Sequence, residues 1–256
     1  MTPARREADP FARIAPYYDL LMAGAPYDMW ADYVAQLAEL AARPIKPGHK
    51  LLDLATGTGP VALEFAARGS VVTGIDCSEP MLAQATRKAA ERCLDVRFLC
   101  HDLSDFHLAP QFDHALCLYD SLNYILEPDL LERAFANTRQ ALKPEGMLIF
   151  DVNTVHALEA ELFTQSSRPG AVLEYRWNST YDPCTRISRI SMSFRIPATG
   201  DAFTLIHHQR AYTQQELRSL LYAAGFTNPT TYQAYTMLPP GPGSDRVFYA
   251  ARASAA

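Results

Sequence analysis

The stretch Leu51-Leu52-Asp53-Leu54-Ala55-Thr56-Gly57-Thr58-Gly59, followed by Pro60, decides how the chain is read. A short apolar run, Lys50 to Leu54, predicts a buried strand. Two glycines one residue apart predict a tight loop in which the backbone approaches a neighbour without Cβ clashes. Pro60 is favoured at a first helical position and predicts a short helix to Ala67. Strand, glycine loop and helix in this order form the opening unit of an open parallel sheet. Such sheets bind ligands beyond the carboxyl ends of their strands.

On either side of this unit the same alternation continues. Strands are predicted at Ser70–Ile75, Val96–Cys100, Phe112–Leu118 and Met147–Val152, with helices at Pro80–Arg92 and Asp129–Leu142. Short apolar runs alternating with helices predict a mostly parallel sheet covered on both faces. Upstream, Trp30, Tyr33, Val34, Leu37 and Leu40 recur at spacings of three and four, one buried face of a helix. The helical region Phe11 to Leu40 is interrupted near Ala23-Gly24-Ala25-Pro26. After Val152 the pattern changes to alternating strands around Val172–Arg176, Arg186–Arg195 and Phe203–Tyr212, separated by turn signals at Asp182-Pro183 and 197–201. This predicts an antiparallel lid inserted into the core. Thr213 with Glu216 three residues on is a capping-box pattern for a helix ending at Gly225. Strands near Pro229–Tyr235 and Arg246–Arg252 follow. The expected organisation is a helical cap at 1–44, a core made of 45–155 and 213–256, and a lid at 156–212.

Bulk properties narrow the class of partner. The chain has 256 residues and a net charge of -5, from 23 basic and 28 acidic side chains. There is no polybasic run of the kind that neutralises phosphates, so no nucleic-acid partner is expected. The cysteines at 77, 93, 100, 117 and 184 have no metal-knuckle or redox-pair spacing, which predicts free thiols and no metal site. Cys100 and Cys117 fall in predicted core strands. No apolar stretch has the length of a membrane span, and Met1 to Pro10 reads as a polar, frayed segment rather than a secretory signal. A cytoplasmic protein, monomeric or homodimeric and acting on a small molecule, is the expectation.

The glycine loop alone leaves alternatives open. Gly57-Thr58-Gly59-Pro60-Val61-Ala62 also fits a dinucleotide fingerprint, and an ordinary tight turn explains it as well. Two neighbours bear on the choice, the first by discriminating and the second by suiting either cofactor. Asp53, before the glycines, would repel a diphosphate and tolerate a cationic ligand. Asp76 ends the second strand, where a carboxylate accepts from both ribose hydroxyls.

From these residues the chain resembles class I S-adenosylmethionine-dependent methyltransferases over roughly 48–155. Their first motif, an acid followed by three alternating glycines, is matched by Asp53, Ala55, Gly57 and Gly59, with alanine at the first glycine. Gly74-Ile75-Asp76-Cys77-Ser78-Glu79-Pro80-Met81-Leu82 is similar to the family's second-strand pattern. Phe112-Asp113, Tyr119 to Tyr124 and Leu142-Lys143-Pro144-Glu145-Gly146 also match, Glu145 standing where glycine is usual. A narrower likeness, through Tyr18-Asp19, Tyr27-Asp28, Trp30, Trp177-Asn178-Ser179 and His208 to Tyr212, is to small bacterial enzymes with a β-rich lid, similar to glycine and amino-sugar N-methyltransferases. The resemblance implies a doubly wound, Rossmann-like α/β sheet of seven strands, mostly parallel with the last antiparallel, plus the antiparallel lid. It also implies transfer of a methyl group from S-adenosylmethionine to an N or O atom of a small molecule. The alternatives are a non-catalytic S-adenosylmethionine-binding accessory protein, for which Ala55 and Glu145 speak, and a nicotinamide-dependent oxidoreductase.

By the same resemblance, Tyr18, Trp30, Asp53, Ala55, Gly57, Gly59, Asp76, Cys77, Met81, Asp102, Leu103, Leu118 and Tyr119 contact the cofactor. Asp53 faces its ammonium, Asp76 its ribose, Met81 and Asp102 its adenine. Acceptor contacts are expected from Asn123, Tyr124, Trp177, His208 and Arg210. Tyr18 and His208 are the catalytic candidates. As bases, His207, His208 and Asp120 all qualify by residue type, but consecutive strand residues face opposite ways, so only one of the two histidines can face the cavity. The likeness favours His208.

Overall fold

The computed structural model describes residues 9–255. In chain order the elements are α1 (Tyr18–Leu21), α2 (Tyr27–Leu40), β1 (Lys50–Leu54), α3 (Pro60–Ala67), β2 (Val71–Asp76), α4 (Glu79–Glu91), β3 (Val96–Cys100), β4 (Phe112–Cys117), α5 (Pro128–Ala141), β5 (Leu142–Asn153), α6 (Val155–Glu159), β6 (Gln165–Ser166), β7 (Glu174–Asp182), β8 (Ile187–Arg195), β9 (Ala202–Arg210), α7 (Gln214–Ala223), β10 (Phe226–Gln233) and β11 (Arg246–Ala253). Short 3-10 turns precede α1, at Ala15–Tyr17, and follow β4, at Ser121–Tyr124. The fraying expected for 1–10 falls mostly on residues 1–8, outside the described residues.

Seven strands form one sheet in the order β10-β11-β5-β4-β1-β2-β3. The pairs from β3 through β5 are parallel, and β11 runs antiparallel between β5 and β10. The strand order reverses between β1 and β4, so the crevice above their carboxyl ends is the ligand position for this topology. The doubly wound seven-stranded sheet expected from the sequence is present.

Alternation along each strand divides the core. Leu51, Leu116, Ile149 and Phe248 face one side and pack against α2 and α3 through Val34, Leu37 and Phe65. Leu52, Cys117, Phe150 and Tyr249 face the other and pack against α5 and α7 through Leu131, Phe135, Leu217 and Leu221. Central strands buried on both faces read as continuous apolar runs, which is why periodicity located them. β5 begins at Leu142 rather than Met147, because Leu142 pairs with Phe112 across a register irregularity. Glu145, in the left-handed region at φ 62°, pairs with Arg43 and Arg252. These ion pairs give a side chain there a use that glycine lacks. Cys117 is buried and Cys100 partly exposed, its thiol 3.6 Å from the Cys77 carbonyl.

The second sheet, β6-β7-β8-β9, is antiparallel throughout. Its inner face packs Ile190, Met192, Phe194 and Phe203 against Phe11, Ile14, Tyr17 and Tyr18 of the N-terminal segment. The N-terminal helices therefore divide their contacts: α2 belongs to the core, whereas the segment around α1 lies between the lid and α4. Among the described residues no helix is long and apolar enough to cross a membrane.

Candidate active site

A cavity of about 660 Å³ lies between the carboxyl ends of β1, β2 and β4, the lid and the N-terminal segment. Its floor is the β1–α3 loop. Ala55 and Gly57 both have positive φ, 52° and 56°, and a Cβ at Gly57 would meet nothing within 4 Å, leaving open space above the backbone. Ala55 holds a left-handed conformation at a cost glycine avoids, so the loop keeps its shape without the first glycine of the motif. Gly59 serves differently. It caps α3 at φ 81°, where a Cβ would come within 2.9 Å of the Ala85 Cβ, and it does not line the cavity. It is packed closely against Ala85 of α4 and Phe98 of β3, outside the cavity lining where a cofactor contact was expected.

Two carboxylates flank this loop. Asp76 accepts from the Gly57 amide at 2.8 Å and the Ser78 amide at 2.9 Å, one bond to each oxygen. These bonds fix its plane at the strand end and leave each oxygen further acceptor capacity. Burial raises its pKa, and the two amides oppose that rise. Asp53 is buried beneath the loop, where Thr56 Oγ1 donates to it at 2.5 Å. Desolvation pushes its pKa up to about 7. A buried carboxylate this reluctant to ionise is stabilised by an approaching cation.

Across the crevice, β4 runs into Leu118, Tyr119 and Asp120. Tyr119 and Asp120 both have positive φ, 67° and 49°. The Asp151 carboxylate holds this strained corner by accepting from both amides. Arg246, on β11, donates to Asp151 and, at 2.6 Å, to Asp120, while Gln209 of β9 donates to Asp120 at 2.6 Å. Arg246 also lines the cavity, with its guanidinium 5.3 Å from the Tyr119 ring centroid. No local pattern announces this network, which joins positions 95 and 126 residues apart. Asp120 is therefore a paired structural anion rather than a free base.

Of the other expected residues, Tyr18, Trp30, Cys77, Met81, Asp102, Leu103, Leu118, Tyr119, Tyr124 and Trp177 line the cavity with Asp53, Ala55, Gly57 and Asp76. Asp102 is held by Ser104, whose amide and hydroxyl both donate to Oδ1 at 2.7 Å. Trp30 sits in an aromatic group, its ring 5.1 Å from Tyr119 and 5.2 Å from Tyr27. Burial raises the Tyr18 pKa well above the ordinary phenol value, so its hydroxyl stays protonated and is no base.

Three expected acceptor residues point elsewhere. His208 is exposed on the outer face of β9, and its neighbour His207 faces the cavity; strand alternation put the likeness-favoured histidine out of phase. Asn123 is fully buried and braces backbone, donating to the Asn153 and Arg210 carbonyls and accepting from the Asn153 amide. Arg210 donates to the Leu126 carbonyl and lies against Tyr212, outside the cavity lining. His207 is 2% exposed, neither ring nitrogen has a partner, and burial lowers its pKa to about 4.

A cavity above the point where the strand order reverses is the ligand position of a Rossmann-like sheet. Comparison with known proteins makes this particular. A model of the methyltransferase domain matches residues 51–146. The methyltransferase-family protein YqeM of Bacillus subtilis (strain 168) is 33% identical over 246 residues, covering 94% of this chain and 96% of that protein. The chain belongs to this methyltransferase family. It is also 25% identical over 260 residues, 94% of this chain and 96% of the relative, to a dTDP-3-amino-3,6-dideoxy-alpha-D-glucopyranose N,N-dimethyltransferase of Streptomyces fradiae. Among solved structures, an S-adenosylmethionine-dependent methyltransferase from Clostridium acetobutylicum ATCC 824 shares the fold, with TM-score 0.83, 24% identity, and coverage of 96% of this chain and 100% of that one. The nicotinamide oxidoreductase alternative gives way to this family membership.

Proposed function

We propose that the protein moves a methyl group from S-adenosylmethionine to an N or O atom of a small molecule by direct displacement. The observation that carries this is Asp76 tied to the Gly57 amide at the floor of a cavity that continues under the lid. The residues fit the cofactor. Asp76 offers acceptors to a ribose diol, and Gly57 leaves space for the methionine half to lie on the backbone. Asp53 gains an ionised form when an ammonium approaches. Asp102, Leu103 and Met81 provide a polar edge and an apolar slot for a purine.

The cofactor supplies an already activated methyl group, so the protein's task is to position an acceptor opposite the sulfur and exclude water. The lid and the N-terminal segment provide the exclusion, with Tyr18, Tyr119 and Trp30 presenting aromatic rings to the cavity. Aromatic faces stabilise a cation by about 0.5–2 kcal/mol. The amino-sugar relative is the motive for expecting a small acceptor with a nucleophilic heteroatom. Incubation with methyl-labelled S-adenosylmethionine and a panel of small amines, phenols and amino sugars tests the reading. A methylated product is expected; cofactor binding without transfer to any acceptor favours the accessory-protein alternative.

A further inference from the structure

The face of the lid that looks into the cavity is laid out in rows by strand register. Tyr175 and Phe194 pair with Phe203 in one row, Trp177 and Met192 with Leu205 in the next, and Ser179 and Ile190 with His207 in the third. The row beyond contains Gln209, which belongs to the Asp120–Arg246 network. Polarity therefore rises stepwise along the face, and His207 stands at the border. Its imidazole is held edge-on between Phe11 and Tyr124, with ring centroids at 4.7 Å and 5.6 Å. Both of its ring nitrogens and the Trp177 indole nitrogen are buried without a hydrogen-bond partner. Buried polar groups normally have partners, and a set of orphans around one cavity marks where a ligand's polar atoms belong.

The charges of the cavity narrow that ligand. Among the described lining residues the Arg246 guanidinium is the one permanent cation, and it is matched by Asp120 and Asp151. Asp53, Asp76 and Asp102 lie at the β-strand ends on the cofactor side. The lid half is left without an unmatched charge, so an anionic acceptor would be desolvated there uncompensated.

We propose that the lid half of the cavity is an acceptor subsite for an uncharged, hydroxyl-bearing ring compound, whose hydroxyl bonds the His207 imidazole and whose ring lies among Trp177, Ile190, Met192 and Leu205. This deepens the methyltransferase reading and rests on it. A neutral imidazole keeps one acceptor nitrogen and one N–H donor, so it receives the O–H of such a compound. His207 stays neutral at physiological pH because burial disfavours its cation.

The test uses the full chain saturated with S-adenosylhomocysteine, the demethylated cofactor, whose binding is confirmed first by calorimetry. The complex is titrated with 2-naphthol, 2-methylnaphthalene and naphthalene-2-sulfonate, following tryptophan fluorescence. Saturable 2-naphthol binding is expected. His207→Phe should weaken it about fivefold or more while leaving 2-methylnaphthalene binding unchanged, the signature of one lost hydrogen bond. The sulfonate should bind at least about tenfold more weakly than 2-naphthol. His207→Phe should melt no lower than wild type, since it removes orphaned nitrogens, whereas a structural histidine would make it melt lower. No 2-naphthol binding to the loaded protein, equal loss of 2-methylnaphthalene, or tight sulfonate binding overturns the subsite alone. Failure of S-adenosylhomocysteine to bind overturns the cofactor reading and the subsite with it.

Discussion

Asp53 is a carboxylate on the cavity floor whose ionisation burial strongly disfavours. Its pKa stands at about 7 in the folded protein, against 3.8 when unperturbed. The folded state therefore binds the proton more tightly than the unfolded state. Between pH 4 and 7 the group withdraws stability as pH rises. A cationic ligand that needs the carboxylate ionised meets the opposite dependence. S-adenosylmethionine affinity should fall about tenfold per unit as pH drops below 7, until other groups titrate. Asp53→Asn should flatten this profile, bind more weakly at pH 8 and raise the melting temperature of the unliganded protein at that pH. Calorimetry across pH 5.5–8 and thermal unfolding check both halves. At this scale the sequence was legible where strands end: Asp53 and Asp76 stand out because apolar parallel strands leave few polar residues near their termini. The choice between His207 and His208 was not legible. A one-residue phase in a lid strand exchanges every inward side chain for an outward one, and the alternation of β9 alone does not say which face meets the cavity.

Among elements, α7 contributes one ion-paired tie between lid and core through Glu216. Glu216 completes a capping box with Thr213 and accepts both Nη atoms of Arg186 from the β7–β8 turn, at 2.7 Å and 2.5 Å. Arg186 and the Thr213 cap hold its pKa at about 2. A depressed carboxylate contributes stability that is present above its unfolded pKa and is lost as pH falls through about 2. Because the pair is partly solvated, Glu216→Gln should cost only about 1 kcal/mol at pH 7, with the difference from wild type narrowing in acid. Urea unfolding at pH 7 and pH 3 measures it. The capping box was legible because it is a local pattern of four residues. The short β6, the 3-10 turn at Ser121–Tyr124 and the early start of β5 were not, since tertiary pairing rather than propensity sets them.

For the whole molecule, the N-terminal segment is the piece that joins lid to core across the cavity. Apolar side chains bind it to the lid, while polar side chains pin it to the glycine loop and α4. Asp19 accepts from Thr58 Oγ1 at 2.7 Å and from Lys88 Nζ at 2.8 Å, and Asp9 accepts from Ser78 Oγ at 2.6 Å. Thr58 lies in the glycine loop and Ser78 follows the end of β2, so loss of these bonds is expected to loosen the segment over the cavity and leave the sheet intact. Asp19→Ala should speed cofactor dissociation several-fold while changing unfolding free energy by less than about 1 kcal/mol, because the pair is partly exposed. Stopped-flow dissociation alongside denaturant unfolding separates the two effects. Architecture was legible at this scale from strand–helix alternation. The Asp120–Asp151–Arg246 network was not, because β11 returns beside β5 only after the lid has intervened.

Asp76, anchored by the Gly57 amide, is the residue we propose holds S-adenosylmethionine at the switch point of the sheet. Titration calorimetry of S-adenosylmethionine into wild type and Asp76→Ala, with circular dichroism to confirm that the variant is folded, is the decisive measurement. One-to-one binding to wild type and an affinity at least about tenfold lower in the folded variant are predicted, as expected for loss of a charged acceptor to a ligand diol. Equal affinities in the two proteins, or no binding to wild type, would contradict it.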